Sequence, residues 1–425
     1  MNLLKIQAVL EDQKEILQAL LAERTCTRSE EALVRLDSKL AQIVTGVRRS
    51  GKSTMCLNVL KASGKPFGYV NFDDERLTQL KGEDLDEVLT AAYKVYGPFG
   101  ILFLDEPQNI PEWSLFVNRL LRGGMHVVVT GSNSNLLAGE LATHMTGRYR
   151  EIKLLPFSFR EYCEFKGVDI TSRSIKARAA RSAAFDQYLR EGAFPEVVGG
   201  EKACHYVRTL IENIRTKDIE RRYKIRFRAT LKKLMDYVLN TVPMTLDPEA
   251  LARLFGLGSP HTAANYVEYM ERSFLVNRVS KYSSKPRQRI AQEKLYAVDV
   301  SFMSERENAM QGDNLGWRLE TIVGNELLRR SRPDGLDVYY YLTSGHECDF
   351  VVCDRRKVTG LYQVAYELTS AKTRKREVEG AVAAAMATGQ HEATIISYSD
   401  WEEIRHASGV RIRVLPVADW LVGTV

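Results

Sequence analysis

Between residues 40 and 156, short apolar runs alternate with longer segments of helical spacing. Ala41–Thr45, Phe67–Asn71, Ile101–Leu104, His126–Thr130 and Glu151–Leu155 read as buried strands. Strands separated by helices predict a mostly parallel sheet with helices on both faces, so this stretch is an α/β core. Residues 1–39 place Leu3, Leu4, Ile6, Val9, Leu10, Ile16, Leu17, Leu20 and Leu21 at helical spacing, with Lys5, Glu11, Asp12, Lys14 and Glu15 between them. That pattern is an amphipathic helical segment and not a signal peptide. The pattern leaves open whether it packs on the core or on a neighbouring subunit.

Residues 157–230 are helical by the same criterion. They end in a basic run, Lys217 to Arg228, in which Arg221, Arg222, Lys224, Arg226 and Arg228 interleave with apolar residues. Over 231–300, Pro248–Phe255 predicts a short helix, Gly256-Leu257-Gly258 a turn, and Ser259-Pro260 the cap and first turn of a second helix over His261–Phe274. Leu275–Lys281 and Lys294–Val298 follow as strands. Two helices on a short turn, followed by a strand pair, predict a winged helix. Its wing would present Lys281, Lys285, Arg287 and Arg289 to DNA phosphates. The same architecture also serves as a protein-packing module. Residues 301–425 predict another α/β unit, with a helix over Trp317–Arg330 and strands around Glu347–Val352 and Gly360–Leu368.

Candidate chemistry concentrates at the ends of the first strands. Gly46-Val47-Arg48-Arg49-Ser50-Gly51-Lys52-Ser53 matches G-x-x-x-x-G-K-[ST] between a strand and a helix. Such a loop turns its backbone N–H groups, with the helix N-terminus, toward an anion. Gly46, Arg49, Ser50, Gly51, Lys52, Ser53 and Thr54 are the candidate nucleotide contacts. Lys52 would reach the β- and γ-phosphates of ATP, and Ser53 would ligate Mg²⁺. The third strand ends in Asp105-Glu106. Asp105 would complete the Mg²⁺ shell, and Glu106 would polarise the attacking water as general base. After the fourth strand, Ser132 (with Asn133 next) is placed to contact the γ-phosphate or the water. Arg148 precedes the fifth strand and faces away from its own loop. In a ring it would enter the neighbour's site, with Arg150 as competitor.

The set GVRRSGKS, LFLDEPQ, VVVTGS and MTGRYREIKLLPFSFREY, with Gly192-Ala193-Phe194-Pro195-Glu196, resembles the bacterial and archaeal AAA-type ATPases whose phosphate loop reads GxRRxGKS. The resemblance covers most of the chain. It implies an ATPase core, here over 40–156, an arginine finger at Arg148 and a ring or clustered assembly, read here as a homo-oligomeric hexamer, with residues 157–230 as a helical lid. It supplies no substrate. Residues 301–425 resemble restriction-endonuclease-like nucleases in the order of a helix glutamate, Glu326, then a strand aspartate, Asp349. In such enzymes E-x-K follows on the next strand, and the acids hold Mg²⁺ while the lysine positions water. Here the third element is Gln363-Val364-Ala365, so the resemblance implies a degenerate site.

Composition adds limits. The 425 residues allow two to four domains, and 44% apolar residues suffice for real cores. No run of 18 uninterrupted apolar residues occurs, so no membrane span is expected. Six cysteines without C-x-x-C spacing point to reduced thiols in a cytoplasmic protein and no zinc site. The net charge of +6 is only mildly basic, so any nucleic-acid contact depends on local clusters. The expected protein is an ATP-hydrolysing motor on duplex or branched DNA, Holliday junctions included. The alternatives are a metal-dependent nuclease with an ATPase switch and a nucleotide-gated protein-binding switch in defence.

Overall fold

The computed structural model describes residues 2–23, 25–132, 145, 147–283, 285, 292–303 and 314–424. The chain divides into two compact units, one of residues 1–155 with 272–274, the other of 156–271 and 275–425.

The first unit opens with α1 (Leu3–Ala22) and continues through β1 (Ala41–Thr45), α2 (Lys52–Ser63), β2 (Phe67–Asn71), α3 (Leu85–Tyr96), β3 (Ile101–Asp105), α4 (Trp113–Arg122), β4 (His126–Gly131) and β5 (Tyr149–Lys153). The strands are all parallel, in the order β2-β3-β4-β1-β5. β1 and β3 are buried at every position, which accounts for their continuous apolar sequence. The fifth strand is Tyr149–Lys153, two residues earlier than the hydropathy pattern places it. The parallel pairing of Ala41 with Tyr149 and Thr45 with Lys153 sets that register.

The packing of α1, open in the sequence, is resolved within this unit. Its Ile6, Val9 and Leu10 join Val88, Ala91 and Ala92 of α3 in one core cluster. Ile6 and Leu10 are fully buried, each worth about 2 kcal/mol. Gln13 completes the docking like an added strand residue. Its amide donates to the Asn71 carbonyl at 3.0 Å, and its side-chain oxygen accepts the Asn71 N–H at 3.0 Å.

The second unit begins with α5 (Phe159–Lys166), α6 (Ile175–Glu191), α7 (Pro195–Val198) and α8 (Ala203–Asn213). A widened π-type turn, Ile214–Glu220, extends α8 into the basic run. There Arg222 pairs with Asp218, and Arg228 with Glu220, so part of that charge is neutralised locally. Next come α9 (Arg228–Thr241), β6 (Met244–Thr245), α10 (Pro248–Leu254), α11 (Pro260–Arg272), β7 (Val276–Lys281) and β8 (Glu293–Ala297). β8 pairs antiparallel with both β6 and β7. The chain ends with α12 (Leu315–Ser331), β9 (Asp337–Leu342), β10 (Glu347–Asp354), β11 (Lys357–Ala365), α13 (Ala371–Thr388), β12 (Glu392–Ser397), β13 (Glu402–Arg405), β14 (Arg411–Pro416) and α14 (Val417–Val422).

The sequence suggests a division near residue 300, but the sheet crosses it. β7 pairs with β9 through Ser280–Tyr339 and Lys281–Tyr340, giving one sheet in the order β13-β14-β12-β11-β10-β9-β7-β8-β6. The free edge of β7 finds its hydrogen bonds in the C-terminal strands. Edge pairing of this kind leaves no composition signal.

Candidate active site

The phosphate loop runs from the end of β1 to the start of α2. Gly46 has φ +155°, and a Cβ there would meet the Leu154 carbonyl oxygen at 2.1 Å, so the close approach requires glycine. Gly51, at φ +89°, turns the chain into α2. Arg49 is exposed and also has a left-handed backbone. Thr54 is exposed on the first turn of α2. Lys52 is buried and points into the loop, donating to the Gly46 and Val47 carbonyls at 3.1 and 3.0 Å. Ser50 is fully buried, and its hydroxyl has no hydrogen-bond partner among the described residues. A glycine-lined concavity with an orphaned hydroxyl and a buried ammonium fits a polyphosphate.

Asp105 and Glu106 lie beside the loop with different surroundings. The Ser53 hydroxyl donates to Asp105 Oδ1 at 2.9 Å, the Thr130 hydroxyl donates to the same oxygen, and the Tyr69 hydroxyl reaches Oδ2 at 3.3 Å. A hydroxyl and a carboxylate converging in this way fit a Mg²⁺ shell. Burial, with the neighbouring Glu106 charge, raises the Asp105 carboxyl above its usual range against the lowering hydrogen bonds. Glu106 goes the other way. Burial would raise it, but Lys52, Arg48 and the Gln108 and Ser132 hydrogen bonds together hold it below the usual glutamate range. Lys52 Nζ lies 4.0 Å from Glu106 Oε1. Glu106 Oε2 accepts from the Ser132 N–H at 3.2 Å, the Ser132 hydroxyl at 3.1 Å and the Gln108 amide. Glu106 also sits at φ +54°, in the left-handed region unusual for a glutamate. Strain of this kind concentrates at functional sites.

Gly46, Ser50, Gly51, Lys52, Ser53, Asp105, Glu106 and Ser132 therefore come together as the sequence expects. Ser132 contacts the glutamate itself. Asn133 lies outside the described residues. Arg148 stands at the N-terminal end of β5, and its guanidinium donates to Asn118 Oδ1 at 2.9 Å. The phosphate loop follows the C-terminal end of the parallel β1. At about 3.3 Å per residue, the five-residue strand puts Arg148 roughly 15 Å from its own loop.

The sequence reading missed several supports. Arg28 is buried and donates to the Ser50 carbonyl at 2.9 Å and the Leu155 carbonyl at 2.6 Å, bracing the loop from behind. Tyr69, Thr130 and Gln108 were also missed. Thr130 at a strand end and Gln108 two residues past Glu106 were readable as candidates. Arg28 leaves no local signal.

In the second unit, Lys281 donates to Gln292 at 2.9 Å, and Lys285 is exposed. Arg287 and Arg289 lie outside the described residues. A cleft of about 980 Å³ is lined by Lys294, Glu320, Glu347, Asp349, Gln363 and Glu377, among others. Glu326 does not belong to it: it pairs with Arg329 at 3.5 Å and Arg330 at 2.7 Å. The helix acid at the cleft is Glu320, which corrects the sequence expectation. The two lie six residues apart, so at about 100° per residue they leave α12 on different faces.

Residues 38–163 match a family described as an AAA domain, and residues 182–311 match one described as a domain of unknown function. An uncharacterised protein of Methanocaldococcus jannaschii is 28% identical over 81% of this chain and 79% of its own length. One of Haemophilus influenzae is 28% identical over 78% of this chain and 84% of its own. Among solved structures, the Walker-type ATPase of Pyrococcus abyssi is similar with a TM-score of 0.39 at 13% identity, over 67% of this chain and 99% of that one. The Thermotoga maritima RuvB Holliday junction branch migration motor gives 0.26 at 15% identity, over 65% and 90%. Among the described residues, no helix is long and apolar enough to cross a membrane. The phosphate loop and the acid pair lie on the one parallel sheet of the stretch that matches the AAA domain, so this part of the chain carries the fold of an AAA-type P-loop ATPase core.

Proposed function

We propose that this protein hydrolyses ATP in a homo-oligomeric ring, a hexamer, and couples turnover to duplex or branched DNA as a cytoplasmic motor. The observation that carries the catalytic half is the divided acid pair. Asp105 shares a hydrogen bond with Ser53, while Glu106 is held ionised beside Lys52 and gripped by Ser132 and Gln108. Ser53 and Asp105 would hold Mg²⁺, which when bound neutralises charge on the phosphate oxygens. Lys52 leaves the loop carbonyls for the β- and γ-phosphates. Glu106 accepts the proton of the attacking water, with Ser132 fixing the carboxylate's direction. Arg148, remote from its own loop, completes a neighbour's site and stabilises the charge on the transferring phosphoryl group.

The DNA half rests on the second unit. The order α9-β6-α10-α11-β7-β8, with β8 between β6 and β7, supports a winged helix, and Lys281 and Lys285 lie on the wing side. Each lysine-to-phosphate contact steepens the salt dependence by about one counterion. One observation favours a second reading, a nucleotide-gated protein-binding switch in defence. Tyr223 stacks on Tyr269 of α11 at 3.8 Å, so that face of the helix is already used for packing.

ATP turnover with single-stranded, duplex and four-way DNA, at low and moderate salt, separates the two readings. The motor predicts a several-fold rise that falls with salt and is lost on replacing Lys281 and Lys285 by alanine. A rate that no DNA changes removes the DNA half and leaves the switch.

A further inference from the structure

The restriction-endonuclease resemblance implies a divalent metal in the second unit's cleft. The residues present do not fit one. The place among the carboxylates is taken by a side chain from β8. Lys294 is largely buried; its ammonium pairs with Glu347 and lies 3.4 Å from Glu320, with the Tyr340 ring 5.6 Å away. The neighbouring acids are also engaged within the protein. The Tyr296 hydroxyl donates to Glu320 at 2.8 Å, and the Val364 N–H donates to Asp349 Oδ2 at 2.8 Å. The Gln363 amide donates to Glu377 at 2.6 Å, and Arg376 covers the other Glu377 oxygen. Gln363 itself stands where a nuclease would supply a metal-binding acid.

We infer that Lys294 is the resident cation of this cleft, replacing a divalent metal among Glu320, Glu347 and Asp349, so that the cleft works without metal and does not cleave DNA. The physical reason is charge. A fixed ammonium already neutralises part of the carboxylate cluster, and a divalent ion would have to displace it or lie beside it at a cost in Coulomb repulsion. The lysine is distant in sequence from all three acids, so a motif search along α12, β10 and β11 does not find it.

Mn²⁺ binding to the nucleotide-free full chain, read by the electron paramagnetic resonance of free Mn²⁺, tests this. The wild type and Asp349→Asn should bind Mn²⁺ identically. Lys294→Met should gain a Mn²⁺ site about tenfold or more tighter than any the wild type shows. Adding Asp349→Asn to Lys294→Met should abolish the gain. Wild-type Mn²⁺ binding that is lost in Asp349→Asn would overturn the inference. So would a folded Lys294→Met chain that gains no site. If Lys294→Met does not fold, the wild type against Asp349→Asn decides: equal binding supports the inference, and loss overturns it. A plasmid-nicking assay with Mg²⁺ or Mn²⁺ should show no activity that depends on Asp349.

Discussion

Two clefts of this protein pair a lysine with carboxylates, and they use the pair in opposite ways. In the ATPase unit, Lys52 is held by two loop carbonyls and stands 4.0 Å from Glu106. Carbonyls are neutral partners, so the ammonium can be drawn to a phosphate at modest cost. In the second unit, Lys294 is fixed by Glu347 and Glu320 and has no such exchange open to it. A lysine on neutral acceptors is poised for a ligand. A lysine on charged acceptors is structure, because removing it leaves a cluster of like-charged carboxylates without their counter-charge.

On the proposed ring, the largest effect should come from Arg148, the arginine assigned to a neighbour's site. Arg148→Ala should lower kcat by about 10³-fold or more while nucleotide binding persists. Mixing it with a Glu106→Gln chain should restore part of the activity, because each assembly then contains sites with both groups. Steady-state ATPase assays of the single and mixed proteins check this.

Exchanging the two lysines sharpens the contrast. Lys52→Met should lower kcat by about 10²–10³-fold with little change in Tm. Lys294→Met should keep the ATP turnover of the wild type and lose about 1–3 kcal/mol of stability to urea, the range of hydrogen bonds to charged groups. Equal destabilisation by both would erase the distinction between poised and structural lysines.

A smaller effect is expected at Ser132. Ser132→Ala removes the hydroxyl but keeps the backbone N–H on Glu106, so kcat should fall about tenfold, near the worth of one hydrogen bond to a charged group.

The smallest effects concern pH. Arg76, with Gln13, holds Asp74 down at about 2, so Asp74 adds stability above the unfolded aspartate pKa and loses it as pH falls through about 2. Asp349 is pushed up by burial and by Glu320, against Lys294. Its sign is therefore opposite: ionisation costs stability, and the loss accrues as pH rises from the unfolded aspartate pKa through the raised folded value. Unfolding of Asp74→Asn and Asp349→Asn across pH 3 to 8 should show the first destabilised at neutral pH and the second not.

The contrast also marks what was legible in the chain. The phosphate loop, Asp105 and Glu106 were readable because the backbone geometry and the chemistry lie within a few consecutive residues. β1 to β4 were readable because strands buried on both faces are continuously apolar. Glu320 was not, because Glu326 shares its helix and only packing decides which face meets β10. Lys294, Arg28 and Tyr69 were not, because each acts across tens of residues of chain on a partner that no spacing rule links to it. The pairing of β7 with β9 was hidden for the same reason: strand-edge hydrogen bonds belong to the backbone and are silent in side-chain patterns.

The central claim is that Asp105 and Glu106 divide the labour of one site, and Glu106→Gln tests it most directly. After incubation with ATP and Mg²⁺, the nucleotide retained on the Glu106→Gln protein is extracted and identified. The account predicts intact ATP, bound as tightly as by the wild type, with turnover reduced about 10²–10⁴-fold. Retained ADP produced at the wild-type rate would contradict it.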